Sequence, residues 1–398
     1  MSLPYIILSV LWLSLIAYAA FGGADYGAGF WDMLASGADE QRQHTLIDEA
    51  LGPVWESNHV WLIFLVVGLF SGFPTPFSIL VIVLFIPLTL ALIGVVLRGA
   101  AFVFRTHGLR VGRPSMMIWT RVFSFASIIT PFFLGLSAAA VASGRIRVRG
   151  EPIQTDLGST WRTPFSLTIG LMAVALCATL AAIYLTVEAA NDKDYAMAEA
   201  YRERGLIAGA VTAVLGALGL LLAPYWAPIL WSGMLSHALP LVIVTMLIGL
   251  ATAVTLFFRY YRIARLLIVG ETAFLLGSWG VSQIPYLVPP DVTVEGGAGA
   301  TSTVLLLLIG IIIGMIIVLP SMWFLFYIFK LKNSVGFFER EAMSGSWRRD
   351  DGNPGSVQSG AVILHPAMRI YGGCAGKPAI PGATSRYYYA GERSGSGQ

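Results

Sequence analysis

The chain has 398 residues, of which 56% are hydrophobic and only 12% are charged, and its formal net charge is +3. A soluble domain carries about 25% charged residues, so this composition excludes an ordinary soluble protein and indicates an integral membrane protein. Cys177 lies in an apolar run and Cys374 in the C-terminal part of the chain, so the two cysteines give neither a disulfide framework nor the spacing of a metal site. We find no P-loop, zinc or dinucleotide-binding signature, and nothing suggests nucleic-acid binding.

Runs of apolar residues divide the chain into membrane-spanning helices. A spanning helix needs roughly 20 mostly apolar residues, and nine runs qualify: about 4–23, 53–72, 75–103, 115–142, 165–189, 205–228, 237–258, 264–287 and 301–330. No basic segment precedes the first run and no cleavage site follows it, so we expect a retained helix rather than a signal peptide. Continuous apolarity excludes the alternating strands of a membrane barrel. The sequence therefore predicts an all-α integral membrane protein with nine transmembrane helices.

Arginine and lysine are concentrated in every second loop. They follow the first, third, fifth, seventh and ninth predicted helices, whereas the loops near 71–76, 229–236 and 288–300 have none. Because basic residues stay on the cytoplasmic side, we expect the N-terminus outside and the C-terminus in the cytoplasm. The fourth loop is the exception, since it carries Arg145, Arg147, Arg149 and Arg162.

The composition changes from about Ser344 onwards. Glycine, serine, proline and charged residues dominate there, and no periodic apolar face is present. Such a segment cannot bury enough apolar surface to fold on its own. We therefore predict a polytopic membrane domain at 1–343 and a disordered tail at 344–398, to which we assign no function.

Two acidic residues lie at the predicted inner ends of the first two helices. Asp25 follows the first helix, and Glu56 begins the second, with Asn58 and His59 close behind. They can be read as interfacial residues, with Glu56 stabilised by the positive end of its helix. They can also be read as successive proton carriers, because a poorly hydrated carboxyl group exchanges protons near neutral pH. His59, one turn after Glu56, would then add a second proton-carrying group to the same path.

Other charged residues near the predicted helix ends are interpreted more simply. Arg98 lies deeper in the third helix than Arg105 and is the candidate charge partner of one of the two acids, whereas we expect Arg105 to extend to the headgroups. Glu188 and Glu271 are interpreted as interfacial residues near inner helix ends. No two histidines face each other across helix centres, so we expect no haem held wholly by this chain and no metal site.

Several blocks of sequence carry a resemblance to a known family. They are GGADYGAGFWD at 22–32, GPVWESNHVWL at 52–62, IPLTLALIGVVLRGAAFVFR at 86–105, SQIPYLVPPDVT at 282–293 and, more weakly, LPSMWFLFYIFK at 319–330. With these blocks in this order, the chain resembles subunit II of the cytochrome bd-type quinol oxidases. The resemblance implies two four-helix groups plus a peripheral helix.

The resemblance also implies partners and a location. A haem-bearing subunit I would hold haem b and haem d, oxidise quinol and reduce dioxygen to water. The complex would lie among the lipids of the bacterial cytoplasmic (inner) membrane. This chain would hold no cofactor wholly by itself and would not be catalytic alone.

In this family, a proton route runs through acids of subunit II at the inner ends of its first two helices, and Asp25 and Glu56 fall on those positions. Many members carry D-G-F-D-x-G near the first of them, where this chain has GGADYG with one acid, and Glu56 replaces an aspartate usual in some members. We therefore expect a proton pathway formed by Asp25, Glu56, His59 and Asn58.

Two alternatives to this pathway remain open at this point. A proton-coupled transporter could use the same acids, although transporters usually have broken helices near the bilayer midplane, and here the acids cluster at one edge. A purely structural assembly subunit could use them only to anchor helices.

Overall fold

The structure, a computed structural model, describes residues 2–37, 39–51, 55–107, 113–148 and 158–345. Nearly all of these residues are helical. In chain order the elements are α1 (Leu3–Ala17), α2 (Gly23–Leu34), α3 (Glu40–Leu51), α4 (Trp55–Gly72), α5 (Pro74–Val83), α6 (Phe85–His107), α7 (Arg113–Ala142), α8 (Pro164–Asn191), α9 (Tyr195–Trp226), α10 (Pro228–Gly233), α11 (Leu239–Phe257), α12 (Tyr261–Gln283), β1 (Tyr286–Val288), β2 (Val292–Thr293) and α13 (Thr301–Gly345). Two π-helical turns, Tyr18–Gly22 and Met234–Ala238, join α1 to α2 and α10 to α11.

The membrane-spanning segments agree with the predicted runs. Among the described residues, eight helical segments are long and apolar enough to cross a membrane, and the pair α4 and α5, bent by 117°, gives a ninth when it is counted as one span. These nine correspond in order to the nine runs in the sequence. The prediction of an all-α integral membrane protein is confirmed.

The first span is longer than predicted. The π-turn carries α1 into α2, so the helix runs from Leu3 to Leu34 instead of ending at 23. The glycines of this stretch do not form a loop. They permit close packing on α8, since a Cβ atom on Gly27 would lie 1.8 Å from the backbone oxygen of Cys177. The prediction that Asp25 ends the first helix is therefore wrong, because Asp25 lies inside it.

Other predicted boundaries also shift, several of them at prolines. The third run is divided at Leu84 between α5 and α6, and the predicted loop at 229–236 is helical. Helices α5, α10 and α11 each have a proline in their first turn. Proline fits this position because its missing N–H has no helical partner there. A proline that resembles a helix end in the sequence thus begins a new helix.

Helix α8 lies at the centre of the bundle. It contacts α2 and α7 as well as α9 and α12. Small buried side chains such as Ala178 and Ala181 form much of its surface, and small residues let membrane helices approach closely. The indole N–H of Trp31 in α2 donates to the Ala178 carbonyl at 2.8 Å. Helix α8 therefore holds in place the helix that carries Asp25.

A small antiparallel sheet follows α12. Tyr286 pairs with Thr293 and Val288 with Val292, so the predicted helix at 264–287 ends earlier, at Gln283. Helix α13 continues past its predicted end at 330 to Gly345. The chain divides into one unit up to residue 332 and a second from 333. Beyond Gly345 the predicted tail at 344–398 lies outside the described residues and stays a prediction.

Candidate functional site

Asp25 of α2 and Arg98 of α6 form a buried ion pair. Asp25 is 5% exposed and Arg98 is 2% exposed. The Nη1 and Nη2 groups of Arg98 donate to the two carboxylate oxygens at 2.8 and 2.6 Å, which is the strong bidentate geometry. Nη2 also donates to the backbone oxygen of Asp25 at 3.1 Å, and Nε donates to Oγ of Ser127 in α7 at 2.9 Å. The structure thus brings Asp25 together with its candidate charge partner.

A second ion pair repeats the first, seven residues further along both helices. Nη1 of Arg105 donates to Oδ2 of Asp32 at 2.7 Å, and Asp32 is 3% exposed. Seven residues make about two helical turns, or roughly 10 Å, so both acids lie on one face of α2. Both guanidinium groups lie over the ring of Phe123, 4.7 and 5.1 Å from its centroid. We call Asp25, Arg98, Asp32 and Arg105 the ion-pair ladder.

Helix α3 covers the Asp32 end of the ladder. Nδ1 of His44 lies 2.6 Å from Oδ1 of Asp32, and Asp48 accepts a hydrogen bond from Nη2 of Arg105. The hydrogen bond with Asp32 raises the pKa of His44, because it stabilises the protonated ring. Burial raises the pKa of Asp48, although Arg105 opposes the shift. The accessible end of the ladder therefore carries two groups whose charge responds to pH.

The remaining predicted site residues lie at the start of α4. Asn58 is 3% exposed, and its Nδ2 donates to the carbonyl of Phe21, in the first π-turn, at 3.4 Å. Such turns often occur at functional sites. His59, next to it, is half-buried. The backbone of Glu56 belongs to α4, whereas its side chain lies outside the part that the structure describes. Asn58 therefore places the start of α4 beside the helix that carries Asp25.

Comparison with known proteins decides the family. The family model for cytochrome bd terminal oxidase subunit II matches residues 3–329. The chain belongs to this family. It is therefore a component of a membrane terminal oxidase, an oxidoreductase complex, and the resemblance that the sequence blocks carry is confirmed.

Two relatives from Bacillus subtilis (strain 168) show how far this subunit II has diverged. It is 24% identical over 333 residues to a putative cytochrome bd menaquinol oxidase subunit II, covering 81% of this chain and 94% of that relative. It is 28% identical over 196 residues to a cytochrome bd ubiquinol oxidase subunit 2, covering 46% and 54%. Among solved structures, the bd oxidase from Geobacillus thermodenitrificans matches with a TM-score of 0.66 at 23% identity, over 83% of this chain and 99% of that one. This match shows the shared fold.

The structure of this subunit II corrects the interpretation of Arg105. Its side chain is 10% exposed and pairs with Asp32 and Asp48, so the expectation that it extends to the headgroups is wrong. Asp32 and His44 were not predicted as site residues. A signal for Asp32 is present in the sequence: Asp32 follows Asp25 by seven residues, and Arg105 follows Arg98 by the same number. For His44, no comparable signal was present, because its position depends on how α3 folds back onto α2.

The structure also places the two acids of this subunit II that the sequence analysis interpreted as interfacial. Glu188 lies near the end of α8 and accepts a hydrogen bond from Arg265 at 2.9 Å, as expected near an interface. Glu271 lies in the middle of α12 and not near its end, so its interpretation as an interfacial residue is wrong. Gly249 of α11 makes room for it, because a Cβ atom there would lie 2.9 Å from Oε1 of Glu271.

Proposed function

We propose that this chain forms a quinol:dioxygen oxidoreductase of aerobic respiration together with a haem-bearing subunit I. The printed names of the relatives, which are menaquinol and ubiquinol oxidase subunits, support this proposal. Haem b and haem d would be held by subunit I, which would also receive quinol and dioxygen. Within the described ranges of this chain, no three His, Cys, Asp or Glu side chains come together as a metal site.

The proposed location is the bacterial inner membrane, with the N-terminus outside and the C-terminus in the cytoplasm. The distribution of arginine and lysine among the loops supports this orientation. Large apolar side chains are exposed along most spans, as expected for surfaces that face lipid or a partner subunit. Packing against subunit I and stabilising its haem-bearing bundle is therefore one role proposed for this chain.

The second proposed role is to conduct cytoplasmic protons toward the oxygen-reduction site of subunit I. The ion-pair ladder is the observation that supports it, because it places two buried carboxylates along one face of α2. In the proposed orientation α2 ends on the cytoplasmic side, so His44 and Asp48 would be the entry and Asp32 the next acceptor. The path would then use the residues predicted from the sequence, which are Asp25, Glu56, Asn58 and His59.

The arginines of the ladder set a condition for this route. Each buried carboxylate accepts a charge-assisted hydrogen bond from a guanidinium group, and such bonds are among the strongest in proteins. Arg98 engages both carboxylate oxygens of Asp25, so a proton that binds Asp25 would have to displace one of these bonds, whereas Oδ1 of Asp32 faces His44. Proton transfer along α2 would therefore depend on brief exchange of an arginine contact for water.

The same geometry favours a second candidate function, which is structural support alone. The Asp25–Arg98 pair and the bond from Arg98 to Ser127 join α2, α6 and α7. Such a pair can hold three helices together without moving a proton. The family match, for its part, favours an oxidase subunit over the proton-coupled transporter considered above.

Quinol oxidase turnover of the purified complex separates conduction from support. The variants are Glu56→Gln and Asp32→Asn, which remove a titrating group but keep a similar shape. Glu199→Gln is the matched control, because its carboxylate pairs with Arg202 at 2.6 Å, is a third exposed and takes no part in the ladder. We expect turnover to fall at least about tenfold in the first two variants, as loss of a proton-transfer group typically costs 10²–10⁴-fold, and to stay unchanged in the control.

The haem absorption spectrum of each variant must be recorded alongside. Reduced turnover with the full haem spectrum supports conduction. Full turnover in both Glu56→Gln and Asp32→Asn contradicts it. Loss of the haem spectrum together with turnover would favour the structural role instead.

A further inference from the structure

A pocket of about 330 Å³ lies at the turn between α11 and α12, beside the end of α8. The end of α8 lines it with Val187, Ala190 and Asn191, and residues 259–263 of the turn complete it. None of these lining residues is acidic, whereas two of them are arginines. The pocket is therefore a positively charged recess between membrane helices.

The first of the two arginines occupies a position where glycine is favoured. Arg259 has a φ of +65°, and the left-handed region at a helix end is normally taken by glycine. Its N–H donates to the Leu256 carbonyl at 3.1 Å, which closes the end of α11. The side chain is 65% exposed and lies 3.3 Å from Glu199 through Nε. The backbone conformation at position 259 favours glycine, yet the residue there is an arginine with an exposed side chain.

The second arginine of the pocket has no carboxylate partner. In the part of the chain that the structure describes, Arg262 forms no ion pair, and its side chain is exposed. The neighbouring acids are already engaged, since Glu188 accepts from Arg265 at 2.9 Å and Glu199 from Arg202 at 2.6 Å. Asp192, in the next turn, lies outside the lining. The pocket therefore has unused positive charge.

Exposed apolar side chains continue from the pocket along the helices. Phe258, Ile263 and Leu266 are all at least half exposed, on a surface that would face lipid. Tyr260, also exposed, lies between the two arginines in the sequence, and tyrosine is enriched where membrane meets water. A charged recess above an apolar wall matches a molecule with an anionic head and hydrocarbon chains.

We propose that this pocket binds the headgroup of an anionic phospholipid. Arg259 and Arg262 would hold the phosphate, Tyr260 would lie at headgroup level, and an acyl chain would follow Ile263 and Leu266. Basic pockets between membrane helices on the cytoplasmic side are known to suit such headgroups. In the orientation proposed above, this turn faces the cytoplasm.

Native mass spectrometry of the purified oxidase complex can test this site. The complex would be stripped of lipid in neutral detergent and titrated with phosphatidylglycerol or with phosphatidylcholine. We expect preferential binding of phosphatidylglycerol, weakened about fivefold by Arg262→Gln and about 25-fold by Arg259→Gln/Arg262→Gln, since each surface arginine adds about this factor to anionic lipid binding. The single variant changes one exposed side chain and keeps the test valid if the double variant does not assemble.

The matched control is Arg162→Gln. Arg162 is exposed, lies at the opposite end of α8 and contacts the Trp161 ring at 4.8 Å. Unchanged lipid binding in this variant, with reduced binding in the two pocket variants, supports the site. Equal binding of the two lipids, or undiminished binding in Arg262→Gln, would overturn it. Binding of inorganic phosphate to the lipid-free complex as tightly as phosphatidylglycerol would overturn the assignment to a lipid.

Discussion

Replacing Arg98 by glutamine is the sharpest test of the ion-pair ladder. The change would leave Asp25 only 5% exposed and without its cationic partner. It would remove two hydrogen bonds to the carboxylate, one to the backbone of Asp25 and one to Ser127. Glutamine is shorter and uncharged, so it cannot restore the bidentate contact.

The expected cost follows from the burial of the pair. Removing one partner of a buried ion pair destabilises a protein by about 3–5 kcal/mol, because the other charge stays buried without compensation. Replacing both partners, as Asp25→Asn/Arg98→Gln, leaves no such charge. The double variant should therefore lose less stability than the sum of the two single variants, by more than about 1 kcal/mol.

An exposed ion pair provides the control. Arg42 lies 2.5 Å from Asp194, but its side chain is 55% exposed, and pairs of this kind contribute only about 0–1 kcal/mol. The variant Arg42→Gln should consequently resemble the wild type. The same type of substitution is thus compared in two environments that differ in burial.

The measurement is the denaturation midpoint of the purified complex in increasing concentrations of sodium dodecyl sulfate. Tryptophan fluorescence would report on helix packing, and haem absorption on the proposed haem-bearing partner subunit. Wild type and Arg42→Gln should have the highest midpoints. The double variant should have a lower midpoint, and Arg98→Gln the lowest. A midpoint for Arg98→Gln equal to that of Arg42→Gln, or strictly additive single effects, would refute the reasoning.

Two further predictions concern close packing and pH. Gly27→Ala should lower the yield of intact complex after detergent extraction, because the new Cβ would lie 1.8 Å from the backbone oxygen of Cys177. The control Gly270→Ala should leave that yield unchanged, because a Cβ at this position meets no atom within 4 Å. The raised pKa of His44 stabilises the fold below its unfolded-state pKa of about 6.5, and this contribution disappears as pH rises through the higher folded-state value. The difference in denaturation midpoint between wild type and His44→Gln should therefore shrink from about pH 6 to about pH 9, and a pH-independent difference would contradict this assignment.

The positions of the apolar spans could be predicted from the sequence because the thickness of the bilayer fixes the length of an apolar helix. The end of the first span could not be predicted in the same way. The stretch GGADYGAGFWD contains the glycines and acids typical of a loop. It stays helical because Arg98, 73 positions away, compensates Asp25, and because α8 closely approaches the glycines. Neither contact is local in sequence.

The sequence could predict the part of the candidate site in which a buried charge requires a partner of opposite charge. A deep arginine such as Arg98 needs a counter-charge, and the nearest acids in the predicted bundle were few. Arg105 was misjudged because a long basic side chain near a helix end usually reaches water. The contribution of α3 was missed, since its polar, amphipathic sequence resembles a loop between membrane spans.

The ladder has a consequence for how this family can vary. A relative that loses the acid at position 25 but keeps Arg98 would bury an unpaired positive charge between packed helices. A relative that loses Arg98 but keeps the acid would bury an unpaired negative charge. Drift through either intermediate is obstructed, so substitutions at these two positions should arrive together in natural relatives. The same covariation should tie position 32 to position 105, but more loosely, because Asp48 and His44 offer each of them a substitute neighbour.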